Sequence, residues 1–330
     1  MIHTTQGVTL SEAVKMRTVC LIGGSGFVGH HAANLLCTRG VALRIPTRRR
    51  ERVKSELIVL PNTEVIEANI NDVNVLGEMI AGCEAVINLT GILHEKSKGD
   101  FQRVHAELPR KIVNACRVSG VSRLVHISAL KAAHDAPSEY LRSKAAGEQQ
   151  IRAAEANGIQ TTIFRPSVIF GRDDAFLNLF AQLARLSPLI PLGCPYARFQ
   201  PIFVDDVARA IATCLDNPET FSQTFELCGP NVYQLQELVA YVCSVRGLKR
   251  QIIPLSPRMT QLQAWALEKL PGKLMTRDNV RSMQVDNVCE CAFPEVLGFE
   301  PRAMEAVVPL YLAKKTLSSR LDRYRVRAGR

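Results

Sequence analysis

Three residues in the middle of the chain could move a proton. In the stretch HISALKAAHDAPSEYLRSKAAGEQQ, Tyr140 and Lys144 stand four apart in a segment that reads as helix, and Ser128 closes the β-branched run before it. Side chains at i and i+4 project from one helical face, so the phenol and the ammonium reach the same region of space. A phenol with a pKa of about 10 is a poor acid–base group at neutral pH until a nearby positive charge stabilises its phenolate. Lys144 would supply that charge, and Ser128 could hydrogen-bond a carbonyl oxygen and orient it. Tyr-x-x-x-Lys also occurs on ordinary amphipathic helices, so its meaning depends on the elements that position it.

Those elements are legible. The first half alternates short β-branched runs, at Thr18 to Ile22, Ala42 to Pro46, Glu64 to Glu67, Ala85 to Leu89, Leu124 to Ser128 and Thr161 to Phe164, with helical stretches at Phe27 to Thr38, Asp100 to Ser119 and Tyr140 to Asn157. This pattern predicts an α/β fold, a doubly wound parallel Rossmann sheet covered by helices on both faces. After Arg165 prolines break the chain into short pieces, which predicts a smaller C-terminal lobe closing over the carboxyl ends of the strands. The expected division is a disordered leader over 1–15, a dinucleotide-binding domain over 16–170 and a substrate or partner lobe over 171–330. Met16, just before the first strand, is an alternative start.

The turn after the first strand, LIGGSGFVGHHAANLL, carries Gly23, Gly26 and Gly29 in a G-x-x-G-x-x-G array, with Phe27 and Val28 opening the helix. Such glycines permit a tight turn, approach of backbone amides to a pyrophosphate and close helix–strand packing, while the helix N-terminus favours negative charge. At the end of the second strand, PTRRRERV offers Thr47 and Arg48 where an NAD site would present a carboxylate to the ribose. Arg48 and Arg49, with Arg50 behind them, suit a 2′-phosphate instead, so NADP(H) is favoured over NAD(H). Asn69 and Ile70 stand at the third strand's end, where adenine would lie, and Leu89, Thr90 and Gly91 at the fourth, along the cofactor ribose.

With these motifs in place the sequence resembles the short-chain dehydrogenase/reductase superfamily, of the extended or atypical type, over roughly residues 16–229. PSEYLRSKAAGE, RPSVIFGRDDAFLNLFA and QPIFVDDVARAI are similar to the subfamily that contains the NAD(P)H-binding accessory subunit of respiratory complex I and its bacterial relatives. The resemblance implies catalytic roles for Ser128, Tyr140 and Lys144, the last two also gripping the cofactor, and nicotinamide contacts from Arg165, Pro166 and Ser167. It further implies work within a respiratory complex I or quinone-biosynthesis assembly, with a dinucleotide that is held for structure. The alternative is a free-standing NADP-dependent oxidoreductase on a small or lipophilic carbonyl. Nucleotide-sugar epimerase or dehydratase chemistry trails, because the loop from Ser128 to Tyr140 is short and Leu141 stands where those enzymes usually have glycine.

Composition narrows the rest. A chain of 330 residues, 47% hydrophobic, can bury a substantial core. No apolar run reaches the roughly 20 residues a membrane-spanning helix needs, and MIHTTQGVTLSEAVK has no apolar core of a signal peptide. A cytoplasmic protein is expected. Of the net charge of +10, much sits in the tail AKKTLSSRLDRYRVRAGR, which would suit an acidic partner or an anionic membrane at its inner face. No recognition motif for nucleic acid accompanies it. The ten cysteines are scattered and read as buried small apolar residues in a reducing compartment, with no metal site. His94 and His105 have no metal-spaced partner and read as satisfied or solvated. Asp173 and Asp174, like Asp205 and Asp206, read as acids that favour helix N-termini.

Overall fold

The computed structural model describes residues 17–51, 57, 59–270 and 274–313. The leader and the basic tail lie outside them. Six strands follow the sequence pattern: β1 (Thr18–Ile22), β2 (Ala42–Thr47), β3 (Thr63–Glu67), β4 (Ala85–Asn88), β5 (Arg123–Ile127) and β6 (Gln160–Pro166). Alternate residues of β1 enter opposite layers: Val19 and Leu21 pack into one core, Cys20 and Ile22 into the other. A strand buried on both faces must be covered by helices on both.

One layer is made by α1 (Phe27–Thr38), the other by α2 (Val73–Ile80), by the pair α3 (Asp100–Gln102) and α4 (Leu108–Ser119), and by α5 (Glu139–Arg152). Between α3 and α4 the chain widens into a π-helical turn, Arg103–Glu107. Pro109 accounts for it: a proline has no N–H to give the carbonyl four residues back, and its ring crowds that carbonyl. The freed carbonyl of His105 lies so close to α5 that a Cβ on Gly147 would sit 2.0 Å from it. The glycine therefore lets α5 approach the turn that carries His105.

Sequence reasoning ends the first lobe at residue 170, but the chain returns to the sheet later. Strands β7 (Ile169–Phe170), β8 (Leu189–Leu192), β9 (Arg198–Phe199) and β10 (Ile202–Phe203) lie outside it, and β11 (Gln223–Leu227) then pairs in parallel with β6. The seven-stranded order is β11-β6-β5-β4-β1-β2-β3, with every pairing parallel. Helix α6 (Leu177–Leu186) belongs to the lobe, whereas α7 (Val204–Cys214) packs on α1 through Val207, Ala208 and Ile211. The remaining elements are β12 (Tyr233–Gln234), β13 (Gln251–Pro254), α8 (Leu235–Val245), α9 (Pro257–Glu268), α10 (Arg277–Ser282) and α11 (Met304–Leu312). Three ribbons, β7 with β10, β8 with β13 and β9 with β12, join them around a core of their own.

Six free cysteines are buried as expected, Cys20, Cys37, Cys83, Cys116, Cys214 and Cys243. Cys228 and Cys289 are not free; they form a disulfide across 61 residues. That corrects the reading of the cysteines as uniformly reduced, for the fold lays a distant loop over the end of β11. Asp205 and Asp206 do open α7. Asp206, buried, takes three hydrogen-bonding or ionic contacts from Arg302, and Asp205 pairs with the His31 ring. Asp174 accepts amides from Gly171, Phe176 and Asn178 ahead of α6. Among the described residues no cluster could hold a metal ion, and no helix is long and apolar enough to cross a membrane.

Candidate active site at the switch point of the sheet

The strand order reverses between β1 and β4, and in open α/β sheets ligands bind beyond the carboxyl ends of the strands at such a point. Here the two strand-end loops touch: Leu89 N–H donates to Ile22 O at 2.8 Å. Gly23 takes a positive φ of 84°, and a Cβ on it would meet Leu89 C and Thr90 N at 3.0 Å. A Cβ on Gly29 would lie 2.4 Å from Gly23 O and 2.5 Å from Gly24 Cα. Helix α1 thus starts hard against the turn, with Gly26 as an N-cap that brings no side chain of its own. Orphan amides at a helix start beside a cradle without side chains are what a pyrophosphate requires, so the residues fit a dinucleotide. Phe27 and Val28 turn away from this cradle, packing into the lobe core.

Arg48, Arg49 and Arg50 are exposed at the end of β2. Thr47 is buried there, its hydroxyl 3.4 Å from that of Ser25 in the glycine loop. No acid stands at 47 or 48, yet β3 brings Glu67 opposite Thr47, where its carboxylate accepts the Arg50 amide. Asn69 uses its side-chain oxygen to close a turn onto Asn71, and Ile70 packs against the core.

On the other side of the switch point, α5 delivers Tyr140 and Lys144. Ser138 caps the helix by accepting the Leu141 amide, and Asp278 of α10 takes the amides of Glu139 and Tyr140 at 2.8 and 3.0 Å. The lobe thereby fixes where Tyr140 begins the helix. Lys144 is buried, its ammonium donating to Ile127 O at 3.1 Å; a Cβ on Gly91 would come within 3.2 Å of Nζ. Burial lowers the lysine to about 8, partly offset by Glu148. Burial raises the Tyr140 phenol to about 12, although part of the residue stays accessible. The expected stabilisation of a phenolate by Lys144 is therefore outweighed here by desolvation, which holds the phenol neutral. Ser128 completes the set, its hydroxyl buried and without a partner among the described residues. A buried, unsatisfied hydroxyl at a strand end is poised for a ligand oxygen.

Three residues around this set had no assigned role in the sequence. Phe101 and His105 wall the phenol, with ring centroids 5.9 and 5.6 Å from Tyr140. Both nitrogens of His105 are committed. Ser143 gives its proton to Tyr140 O, so His105 Nδ1 must donate to Ser143, and Nε2 accepts the Ile92 amide at 3.0 Å. Burial and the charge of Lys144 hold this imidazole down at about 2. It is a neutral strut, in keeping with the expected satisfied histidine. Glu148, one turn beyond Lys144, grips Arg165 through two bonds of 2.8 and 2.6 Å. The guanidinium of Arg165 is therefore anchored on α5, the Pro166 carbonyl accepts the Leu130 amide, and Ser167 bonds Asn287 at 2.6 Å. An acid four residues after Lys144 was a readable signal for the first of these; the Asn287 contact, 120 residues away, left none.

His94, Lys96, Phe101, Glu268, Thr276 and Asp278 line a cavity of about 210 Å³ over this region. A larger hollow of about 500 Å³ lies between α1 and α7, away from Tyr140, and His31, Asp205 and Arg302 on its wall already pair. Glu148→Ala leaves Arg165 without its buried partner and should destabilise the fold by about 3 kcal/mol, read as a lowered urea midpoint with unchanged slope.

A glycine cradle at the switch point, with Ser128, Tyr140 and Lys144 on the adjoining strand and helix, defines a Rossmann-type dinucleotide-binding protein. The chain belongs to the NAD dependent epimerase/dehydratase family, whose model matches residues 19–228. The mouse mitochondrial protein named NADH dehydrogenase [ubiquinone] 1 alpha subcomplex subunit 9 is 33% identical over 300 residues, 86% of this chain and 77% of that protein. A ceramide reductase of Caulobacter vibrioides is 29% identical over 72% of this chain and 73% of its own length. Among solved structures, MoeE5 in complex with UDP-glucuronic acid and NAD superposes with a TM-score of 0.63 at 19% identity, over 72% of this chain and 85% of that one; this likeness is one of fold.

Proposed function

We propose that this chain holds NADP(H) along the glycine loop as a resident dinucleotide within a respiratory complex I or ubiquinone-related assembly, peripheral to the inner face of the membrane. The diphosphate rests on Gly23, Gly26 and Gly29 with the amides of Phe27 and Val28, and the 2′-phosphate on Arg48 and Arg49. Adenine lies by Asn69 and Ile70, the ribose by Leu89, Thr90, Gly91, Tyr140 and Lys144, and the nicotinamide end by Arg165, Pro166 and Ser167. The observation that carries the reading is the contact of α1 with its own turn, where a Cβ on Gly29 would lie 2.4 Å from Gly23 O. The assembly rests on the mouse relative, by name a subunit of a mitochondrial NADH dehydrogenase [ubiquinone], and the basic tail suits an acidic partner.

A second reading, a carbonyl reductase, is favoured by the unpartnered Ser128 hydroxyl beside an intact Tyr140 and Lys144. When bound, NADPH supplies a hydride. Ser128 then bonds the carbonyl oxygen, Tyr140 gives that oxygen its proton, and Lys144 holds the charge left on the phenol. One experiment separates the two: purified protein is assayed for bound dinucleotide and for hydride exchange with carbonyl compounds. A resident cofactor is retained without exchange. If exchange occurs, Tyr140→Phe should lower it by about 100-fold while the dinucleotide stays bound. Protein that neither retains nor rebinds a dinucleotide contradicts both readings.

A further inference from the structure

Helix α9 is built inside out. Its inward face is small, with Thr260 and Ala264 at 2% and 0% exposure, whereas Met259, Leu262 and Trp265 stand 50%, 55% and 45% exposed and Leu270 follows just beyond the helix at 50%. A surface helix of a globular protein carries these residues the other way round. Arg258 and Lys269 flank the apolar strip, and the one acid from 257 to 270, Glu268, is about a third exposed and engaged by Arg277. Lys269 Nζ lies 4.0 Å above the Trp265 ring. The strip does not end with the helix: Gln263 bonds Pro191 O of β8 at 2.8 Å, and Leu189 of that strand and Ile253 of β13 are exposed as well.

We infer that this face docks on an anionic lipid bilayer. Leucine, methionine and tryptophan enter the boundary of headgroups and acyl chains, tryptophan is at home at that depth, and the flanking cations stay among the phosphates. A protein partner fits less well. Lysine is depleted in the cores of protein interfaces, and here Lys269 lies over the indole itself. The face also adjoins the candidate active site: Glu268 at the end of α9 binds Arg277, and Asp278, the next residue, holds the start of α5 at Tyr140. This attachment is distinct from the basic tail and needs no dinucleotide, so it and the cofactor reading fail separately.

Trp265 is the single tryptophan of the chain, which makes the test direct. Full-length protein is mixed with vesicles of phosphatidylcholine alone, or with phosphatidylglycerol added. The tryptophan emission should shift to the blue and be quenched by lipids with brominated chains in the anionic vesicles only, and salt should weaken the effect. Leu262→Glu, at a position more than half exposed, should keep the thermal midpoint and weaken vesicle binding about tenfold or more. An unshifted Trp265 overturns the inference, whether or not the protein sediments with vesicles through its tail. So does Leu262→Glu that binds like the wild type, or an emission shift that a protein partner produces and lipid does not.

Discussion

Gly29→Ala should abolish saturable NADPH binding while the protein still folds. The added methyl would stand 2.4 Å from Gly23 O and 2.5 Å from Gly24 Cα and O, distances that backbone atoms cannot yield by a rotamer change. The turn must open, which separates the amides of α1 from the strand-end loop they share with Leu89 and Thr90. Overpacking of this kind costs about 1–3 kcal/mol of stability, within what a chain of this size tolerates. The control is Gly77→Ala in α2, where the new Cβ meets nothing within 4 Å; there helix propensity favours alanine by about 1 kcal/mol. Fluorescence titration with NADPH should show more than about 100-fold weaker binding for the first variant and no change for the second. Equal affinities for Gly29→Ala and wild type would move the pyrophosphate elsewhere.

Acid should unfold this protein unusually early. His105 and His126 are buried, and burial, assisted by Lys144, holds them at about 2 and about 3. The Asn88 amide donates to His126 Nδ1, because Asn88 Oδ1 already serves Thr90, so that ring too is neutral. An unfolded histidine takes up its proton near pH 6.5, approximately. Between these values the unfolded chain binds more protons, so the stability is fully present above about pH 6.5 and is lost as the pH falls toward 3. Each ring contributes about 1.4 kcal/mol per pH unit, and together about 5 kcal/mol is lost by roughly pH 4.5. Lys144, depressed to about 8, acts in a different window, adding stability only as the pH rises from about 8 toward its unfolded value. Urea unfolding between pH 6.5 and 4.5 reads the slope, and His126→Leu should halve it whatever the variant does to stability at neutral pH. A flat profile over that range would contradict the neutral assignment.

Much of this architecture is written locally. The glycine array, the six β-branched runs and the helices at 27–38 and 100–119 each carry their own signal within a dozen or so residues, and the fold places them within a residue or two of expectation. Two local features are absent from that reading, α2 behind its Asp72 cap and the end of α5 at Arg152 rather than Asn157; the other missing pieces are fixed only by distant contacts. Strand β11 sits among prolines, and only its pairing with β6 makes it part of the sheet. Cys228 meets Cys289, and Asp278 meets the start of α5, because the lobe folds back over the strand ends. At the site, the shared helix of Tyr140 and Lys144 and the strand-end place of Ser128 were legible. The upward shift of the phenol was not, because desolvation depends on Phe101, His105 and the lobe that surround it. Arg48 and Arg49 were legible as cations, while Glu67 reaches the same corner from a neighbouring strand.

Calorimetric titration of dinucleotide-free protein with NADPH and with NADH tests the central claim most directly. Tighter binding of NADPH, reduced to parity with NADH in the Arg48→Ala, Arg49→Ala double variant, is the predicted result. Heat for neither dinucleotide, or a clear preference for NADH, would contradict it.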